Sequence, residues 1–329
     1  MTQASEAGSA PRIAAALRFG AALTTAGPVL LAVSGLGRQT KEWFCSGPWI
    51  EPAAAQTAAW ELTNWAGLLL PAVLAGLLLH GPRRSNAIAL SAIGSVLALE
   101  LWSAVVWPGT DLCTGEPLPI ALPWTTIGCY LAAMVSLLLV ARSPWPSGRH
   151  RTVLWAAAAA ASAWWTATCR LPSIPQPTDR TLRVVYEPAG SVWDAALYWI
   201  WDAETAGLPL MVVVLAAAAS AAAPGRAGRW AGAVAAGILL AIASADVAAI
   251  AATGHYVKAL NPGLVGWHLV LAALLVVAAI RRRRLTVPRF DGLRSLWSRI
   301  PRRTRDLAGL IVIVVAAVWI VAATFMPLS

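Results

Sequence analysis

Long apolar runs recur along almost all of this chain of 329 residues, and they constrain its fold more than any other feature. A helix rises about 1.5 Å per residue, so a run of about 20 residues crosses a hydrocarbon core roughly 30 Å thick. Charged residues make up only 12% of the chain, against about 25% in a soluble globular domain. The sequence therefore predicts an all-α, polytopic transmembrane helical bundle.

The apolar runs predict nine membrane spans. They cover residues 19–37, 59–80, 86–107, 119–141, 152–169, 205–224, 229–253, 263–280 and 307–326. Residues 1–11 are small and polar and are predicted to form a disordered cytoplasmic tail, and residues 12–329 a single integral membrane domain. Nine crossings place the two termini on opposite sides of the membrane.

Basic residues set the predicted orientation, because short cytoplasmic loops carry the positive excess. On one side of the nine spans lie 19 of the 25 Lys and Arg residues, and the other side carries ten of the fifteen acidic residues. The amino terminus is thus predicted to be cytoplasmic and the carboxyl terminus extracytoplasmic. Heavy use of Ala, Arg, Pro and Trp is typical of a high-GC genome, which indicates a bacterial plasma membrane.

The net charge of +10 does not indicate a nucleic-acid partner. The arginines are divided among short turns and form no basic face with interleaved aromatic residues, whereas a nucleic-acid surface clusters them. The lipid bilayer is the predicted partner. Ten arginines lie between Arg281 and Arg305, around apolar residues at helical spacing such as Phe290 and Trp297. This pattern predicts an interfacial helix near 290–300, with anionic inner-leaflet lipid bound at 281–305. A positive-inside stop signal explains the segment equally well.

The order of loop lengths in spans one to four repeats in spans five to eight. Ala66-Gly67-Leu68 is echoed by Ala206-Gly207-Leu208 at matching places in spans two and six. Glu100 and Asp246 lie at matching places in spans three and seven. A parallel four-plus-four duplication with an added ninth helix predicts this pattern, and chance similarity among alanine-rich helices is the alternative.

Four cysteines are present, and Cys45 and Cys113 are predicted to lie in outer loops. The outside is an oxidising environment, so one disulfide is predicted, with Cys45–Cys113 as the first pairing and Cys169 as the alternative partner. The chain has no CxxC motif, and no HExxH motif or close pair of histidines. The sequence therefore predicts neither a metal site nor a cofactor.

Buried charge inside the membrane marks the candidate functional residues, because an ionised carboxylate facing lipid costs several kcal/mol. Glu100, Asp246 and His268 fall at similar depths in the outer third of the predicted bundle. Glu61 and Asn64 lie one helical turn apart near the outer end of span two. Together these five residues predict an outward-facing polar cluster that binds a substrate or a proton.

Asp202 and Glu204 lie at the predicted mouth of span six, and His255 lies in the outer loop between spans seven and eight. These three residues either guard the entrance to a cavity, recognise a polar headgroup, or are simply solvated.

Three functions fit these residues. A transporter-like protein would bind a small or lipid-like solute in the outward-facing cavity. An enzyme acting on a lipid-linked substrate at the outer leaflet would use Glu61 or Glu100 as base and His268 as acid. A non-catalytic assembly partner would use the same polar groups only for packing. GxxxxGK[ST], GxSxG and HExxH motifs are all missing from the sequence, which favours a non-enzymatic role.

Overall fold

The computed structural model describes residues 10–34, 54–81, 84–109, 111, 114–143, 152–170, 200, 203–223, 225–253 and 266–281. Every regular element within these ranges is an α-helix. Nearly all of the described residues belong to one compact unit, which comprises residues 1–167 and 187–280. The second unit, residues 168–186 and 281–329, contains only four of them.

Nine helices are present within the described ranges. In chain order they are α1 (Ala10–Val33), α2 (Ala54–His80), α3 (Ser85–Val106), α4 (Trp124–Leu139), α5 (Thr152–Ser162), α6 (Trp164–Arg170), α7 (Leu208–Ala222), α8 (Arg226–Thr253) and α9 (Trp267–Ile280). Pro11 and Pro209 lie in the first turns of α1 and α7, where a missing backbone N–H costs nothing.

Four of these helices are long and apolar enough to cross a membrane: α1, α2, α3 and α8. Four others, α4, α5, α7 and α9, are apolar but have only 11 to 16 residues. Large apolar side chains are exposed on the outer surface, among them Leu139, Val153 and Trp267. Lipid solvates such a surface, whereas water would favour its burial against a partner.

The helices form two closed groups of four packed neighbours. In the first group, α1 packs against α2 and α4, and α3 packs against the same two helices. In the second group, α5 packs against α7 and α9, and α8 packs against the same two helices. In both groups, therefore, helices that are consecutive around the group follow chain order: α1, α2, α3 and α4 in the first, and α5, α7, α8 and α9 in the second.

Helix α7 joins the two groups, because it packs against α1 and α2 as well as against α5 and α8. Nine of its 15 residues are buried and none is exposed, and Met211, Val213 and Ala218 are fully enclosed. Small residues on α1, such as Ala22 and Ala26, are also fully buried and allow close approach of the neighbouring helices.

Contacts between helix ends show that neighbouring helices alternate in direction. Arg18, near the start of α1, donates a hydrogen bond of 2.6 Å to the carbonyl of Ser143, just beyond the end of α4. Gln56, near the start of α2, donates one of 2.8 Å to the carbonyl of Pro108, just beyond the end of α3. In the second group, Gly232 near the start of α8 contacts Ile280 at the end of α9.

The described residues confirm an all-helical chain with helices able to cross a membrane, and the count of nine spans remains a prediction. The first eight predicted spans each overlap a described helix, with the fifth divided between α5 and α6. Helix α1 begins at Ala10, inside the segment predicted as a disordered tail, because Pro11 is suited to the first helical turn. The predicted ninth span and the interfacial helix near 290–300 lie outside the described residues.

Candidate functional site

Three helices of the first group meet around Gly67 of α2, where two side-chain oxygens occupy the space beside the glycine. A methyl group added to Gly67 would lie 3.4 Å from the hydroxyl oxygen of Tyr130 on α4 and 3.7 Å from Oε1 of Glu100 on α3. The two oxygens therefore lie within about 7 Å of each other. We refer to Gly67, Glu100 and Tyr130 as the Glu100 corner.

Glu100 lies six residues before the end of α3 and is partly exposed, whereas Tyr130 is only 1% exposed. Among the described residues, no basic side chain forms an ion pair with the Glu100 carboxylate. A carboxylate inside a bilayer normally faces a partner or a wet cavity, since an isolated charge is costly there. The Glu100 corner thus offers a group that can take up a proton or a cation.

A turn lies at the start of the predicted sixth span, 205–224, and separates a short helical segment from α7. Residues 203–205 are helical, residues 206 and 207 form a turn, and α7 begins at Leu208. Gly207 has a φ of +94°, in the left-handed region that favours glycine. Its N–H donates a hydrogen bond of 3.0 Å to the carbonyl of Glu204, which closes the turn. We refer to residues 203–207 as the Glu204 break.

Helix α6 supports this break with a side chain. The hydroxyl of Thr166 donates a hydrogen bond of 2.8 Å to the backbone carbonyl of Glu204. The Glu204 carbonyl thus accepts two hydrogen bonds, one from the Gly207 N–H of the turn and one from a neighbouring helix. Glu204 is fully buried and takes part in further polar or ring interactions. Glu204 is therefore not solvated, as one alternative for the mouth of span six predicted. It is fully buried, and Thr166 of α6 packs next to it.

The Glu100 corner and the Glu204 break meet at consecutive residues of α2. A methyl group added to Gly207 would lie 2.6 Å from Cδ2 of Leu68 and 3.9 Å from Cγ2 of Thr166. Leu68 directly follows Gly67, so one turn of α2 contacts Glu100 and Tyr130 through Gly67 and the break through Leu68. Helix α2 thus forms a shared wall between the two features.

Asp246 and His268 lie on adjacent helices of the second group. Asp246 on α8 is fully buried, and His268 on α9 is 8% exposed. The start of α9 packs closely on α8, since a methyl group added to Gly266 would lie 3.1 Å from Cα of Ala243. Asp246 is three residues beyond Ala243, and His268 is two residues beyond Gly266. The two side chains therefore flank one close helix contact, and both make further polar or ring interactions.

The structure divides the five predicted cluster residues between the two helix groups. Glu61, Asn64 and Glu100 lie on α2 and α3 of the first group, and Asp246 and His268 on α8 and α9 of the second. Glu61 is partly buried and Asn64 is exposed. The base and acid of the enzymatic alternative, Glu61 or Glu100 with His268, thus lie on helices from different groups.

Several predicted residues lie outside the described ranges. They are Asp202 and His255 of the predicted cavity mouth, the cysteines of the predicted disulfide, Cys45 and Cys113, and the basic segment 281–305 apart from Arg281. The fourth cysteine, Cys129, is a free thiol on α4 that packs against Gly27 of α1.

Two residues of the site were missed by reasoning from the sequence. Tyr130 is typical of an aromatic residue in an apolar helix, and nothing in its neighbours indicates that its hydroxyl faces Glu100. Thr166 had a weak signal, because it is a hydroxyl residue in a predicted span and such residues often bond a carbonyl of another helix. The sequence signal for the break was Gly207, which lies three residues after the acidic Glu204. The similarity of Ala206-Gly207-Leu208 to Ala66-Gly67-Leu68 instead favoured an ordinary helical position for Gly207.

Within the described ranges, no three His, Cys, Asp or Glu residues come together in a group that could hold a metal ion. The site thus consists of carboxylates, a phenol, a threonine hydroxyl and an interrupted helix. In comparisons with protein-family models, with curated proteins and with solved structures, no match to the chain was found.

Proposed function

We propose that this chain is a transporter-like protein that moves a small or lipid-like solute and couples its movement to a proton or a cation. The observation that carries the proposal is the Glu204 break, an interrupted helix that holds a fully buried acidic residue. Interrupted helices in secondary transporters form substrate and ion sites, because unwound backbone presents polar groups within the membrane. The break lies beside the Glu100 corner, which supplies a second carboxylate.

In this proposal, Glu100 is the coupling group. Its carboxylate is partly exposed, and the Tyr130 hydroxyl oxygen lies within about 7 Å of it. The shared wall of α2 at Gly67 and Leu68 transmits a change at Glu100 to the Glu204 break. Solute would bind at the outward-facing side of the break, and the buried Asp246 would serve the second group as Glu100 serves the first.

The proposal includes a parallel four-plus-four repeat with an added ninth helix. The two groups have the same order of neighbours around α1–α4 and around α5, α7, α8 and α9. The echoed segments also touch, since Leu68 contacts Gly207. Matching positions meet in this way when a pseudo-twofold axis passes between spans two and six. Their backbones differ, because Gly67 lies within a helix and Gly207 in a turn.

The proposed location is the plasma membrane of a bacterium, with the amino terminus in the cytoplasm. Six described arginines are exposed at one end of the helices; they are Arg12, Arg84, Arg142, Arg226, Arg229 and Arg281. The positive-inside rule makes this end cytoplasmic. A reporter that is active only in the cytoplasm, fused after Arg84, tests this orientation; we expect it to be active, and an inactive reporter that is expressed at the same level would contradict the orientation.

Transport is tested with purified protein in proteoliposomes that contain a pH-sensitive dye. An imposed proton gradient and a panel of Na⁺, K⁺, amino acids, sugars and a fluorescent phospholipid serve as probes. We expect one probe to move with protons in the wild type, and Glu100→Gln and Asp246→Asn to abolish this movement. Glu116→Gln, an exposed loop carboxylate, is the matched control. Undiminished movement in both intramembrane variants would contradict the coupling role.

A further inference from the structure

A groove of about 650 Å³ lies far from the proposed solute site, between the first turns of α1 and the junction of α7 with α8. Arg12, Ala16 and Phe19 line one wall. They are spaced four and three residues apart and so share one face of α1. Four alanines between Ala219 and Ala227 line the other wall. A ligand pocket typically has roughly 300–1,000 Å³, so this groove has room for a substantial ligand.

The composition of the groove suits a hydrocarbon chain. Alanine and phenylalanine offer no hydrogen-bonding side chain, and the small alanines keep the space between α1 and α7 open. Among the described residues that line the groove, only Arg12 has a polar side chain, and it is exposed at the end that carries the other arginines. The lining is thus apolar along its length and cationic at the membrane surface.

The charge around the groove favours an anionic ligand. Arg226 flanks Ala227 in the sequence, Arg229 follows within one helical turn, and both are exposed. No acidic residue lies among the described residues at this end of the helices, which carry six exposed arginines. Arginine is well suited to bind phosphate groups, because its planar guanidinium can donate two parallel hydrogen bonds to them.

We propose that this groove binds one anionic phospholipid of the leaflet on the arginine-rich side. One acyl chain lies between Phe19 and the alanines, and the phosphate contacts Arg12, with Arg226 and Arg229 nearby. The site uses none of the residues of the Glu100 corner or the Glu204 break, so it stands whether or not the chain transports a solute.

The proposal is tested in nanodiscs with a photoreactive phosphatidylglycerol that carries a diazirine on its acyl chain. Phosphatidylcholine with the same chain is the headgroup control. After irradiation, mass spectrometry locates the labelled peptides. We expect phosphatidylglycerol to label residues 12–19 and 219–227 at least fivefold more than phosphatidylcholine. Arg12→Gln should reduce this labelling to the phosphatidylcholine level, whereas Arg84→Gln, an exposed arginine outside the groove, should retain it.

A second variant tests the apolar part independently of charge. Ala222→Leu places a larger side chain in the groove wall and should reduce labelling with both lipids, and Ala87→Leu, an exposed alanine near the same end, should leave it unchanged. Equal labelling by both lipids in the wild type would overturn the anionic specificity. Labelling that Ala222→Leu leaves undiminished, or a chemical cross-link that joins Arg12 to residues 282–329 in place of lipid, would overturn the site.

Discussion

The hydroxyl of Thr166 donates a hydrogen bond of 2.8 Å to the backbone carbonyl of Glu204, 38 residues further along the chain. This bond joins the fifth predicted span to the interruption in the sixth. The same carbonyl accepts the Gly207 N–H at 3.0 Å, so the turn and a neighbouring helix bond one atom. Thr166 therefore ties the break to α6 in addition to the bond that closes the turn.

Thr166→Val keeps the shape of the side chain and removes its hydroxyl. We expect a loss of about 0.6–1.7 kcal/mol of stability, the range for hydrogen bonds between membrane helices. Thermal unfolding of the purified protein in detergent measures the change. Thr63→Val is the matched control, because the buried Thr63 hydroxyl bonds Ala59 of its own helix. An equal loss in both variants would show that Thr166 has no special role at the break.

Gly207→Ala should destabilise the chain for two separable reasons. The φ of +94° strains any residue with a Cβ, and that Cβ would lie 2.6 Å from Cδ2 of Leu68. We expect a loss of about 1–3 kcal/mol in thermal or denaturant unfolding. In a Leu68→Ala background, Gly207→Ala should cost less, because the clash with Cδ2 of Leu68 is removed. The backbone strain at residue 207 remains. A double-mutant cycle measures the coupling, and strictly additive effects would contradict the contact.

Gly67→Val should displace the carboxylate of the Glu100 corner. Even a Cβ on Gly67 lies 3.4 Å from the Tyr130 hydroxyl, so the additional methyl groups of valine must move Tyr130 or Glu100. We expect altered labelling of Glu100 by a hydrophobic carbodiimide, read by mass spectrometry. Gly76 on the same helix has no such neighbour within 4 Å. Gly76→Val should therefore leave the labelling unchanged, and an equal change there would refute the contact.

Arg18→Met removes a buried guanidinium that bonds the carbonyl of Ser143 just beyond the end of α4. A hydrogen bond to a charged group contributes about 1.5–3 kcal/mol, and a cation near a helix carboxyl end is further favoured by the helix dipole. We expect thermal unfolding to shift downward accordingly. Arg142→Met, an exposed arginine nearby in the sequence, should shift it little. A comparable shift in both would indicate a general effect of charge.

Hydropathy predicted where the described helices lie, because the thickness of the membrane dictates how long an apolar run must be. The depth of Glu100 and Asp246 in the membrane, counted in residues from the cytoplasmic arginines, stays a prediction. Hydropathy could not predict which helices face each other. That depends on side-chain packing between segments far apart in the sequence, and so nothing in the sequence connects Tyr130 to Glu100.

The position of Glu204 illustrates the same limit. Its place near the start of a predicted span indicates a cavity mouth, where the residue would be either a guard or solvated. In the structure Glu204 is fully buried, next to the turn at residues 206 and 207, and its carbonyl accepts a hydrogen bond from Thr166. A single glycine in an apolar segment indicates either close packing or a break, and only the neighbouring helix decides between them.

The bond between Arg18 and Ser143 also has a consequence for biogenesis. Its two partners are separated by 125 residues, which a ribosome synthesising about 5–20 residues per second needs roughly 6–25 s to cover. Throughout that interval the first helix must carry its arginine without the carbonyl that later receives it. The first helix is therefore complete well before the residue that fixes Arg18 in its final position is synthesised.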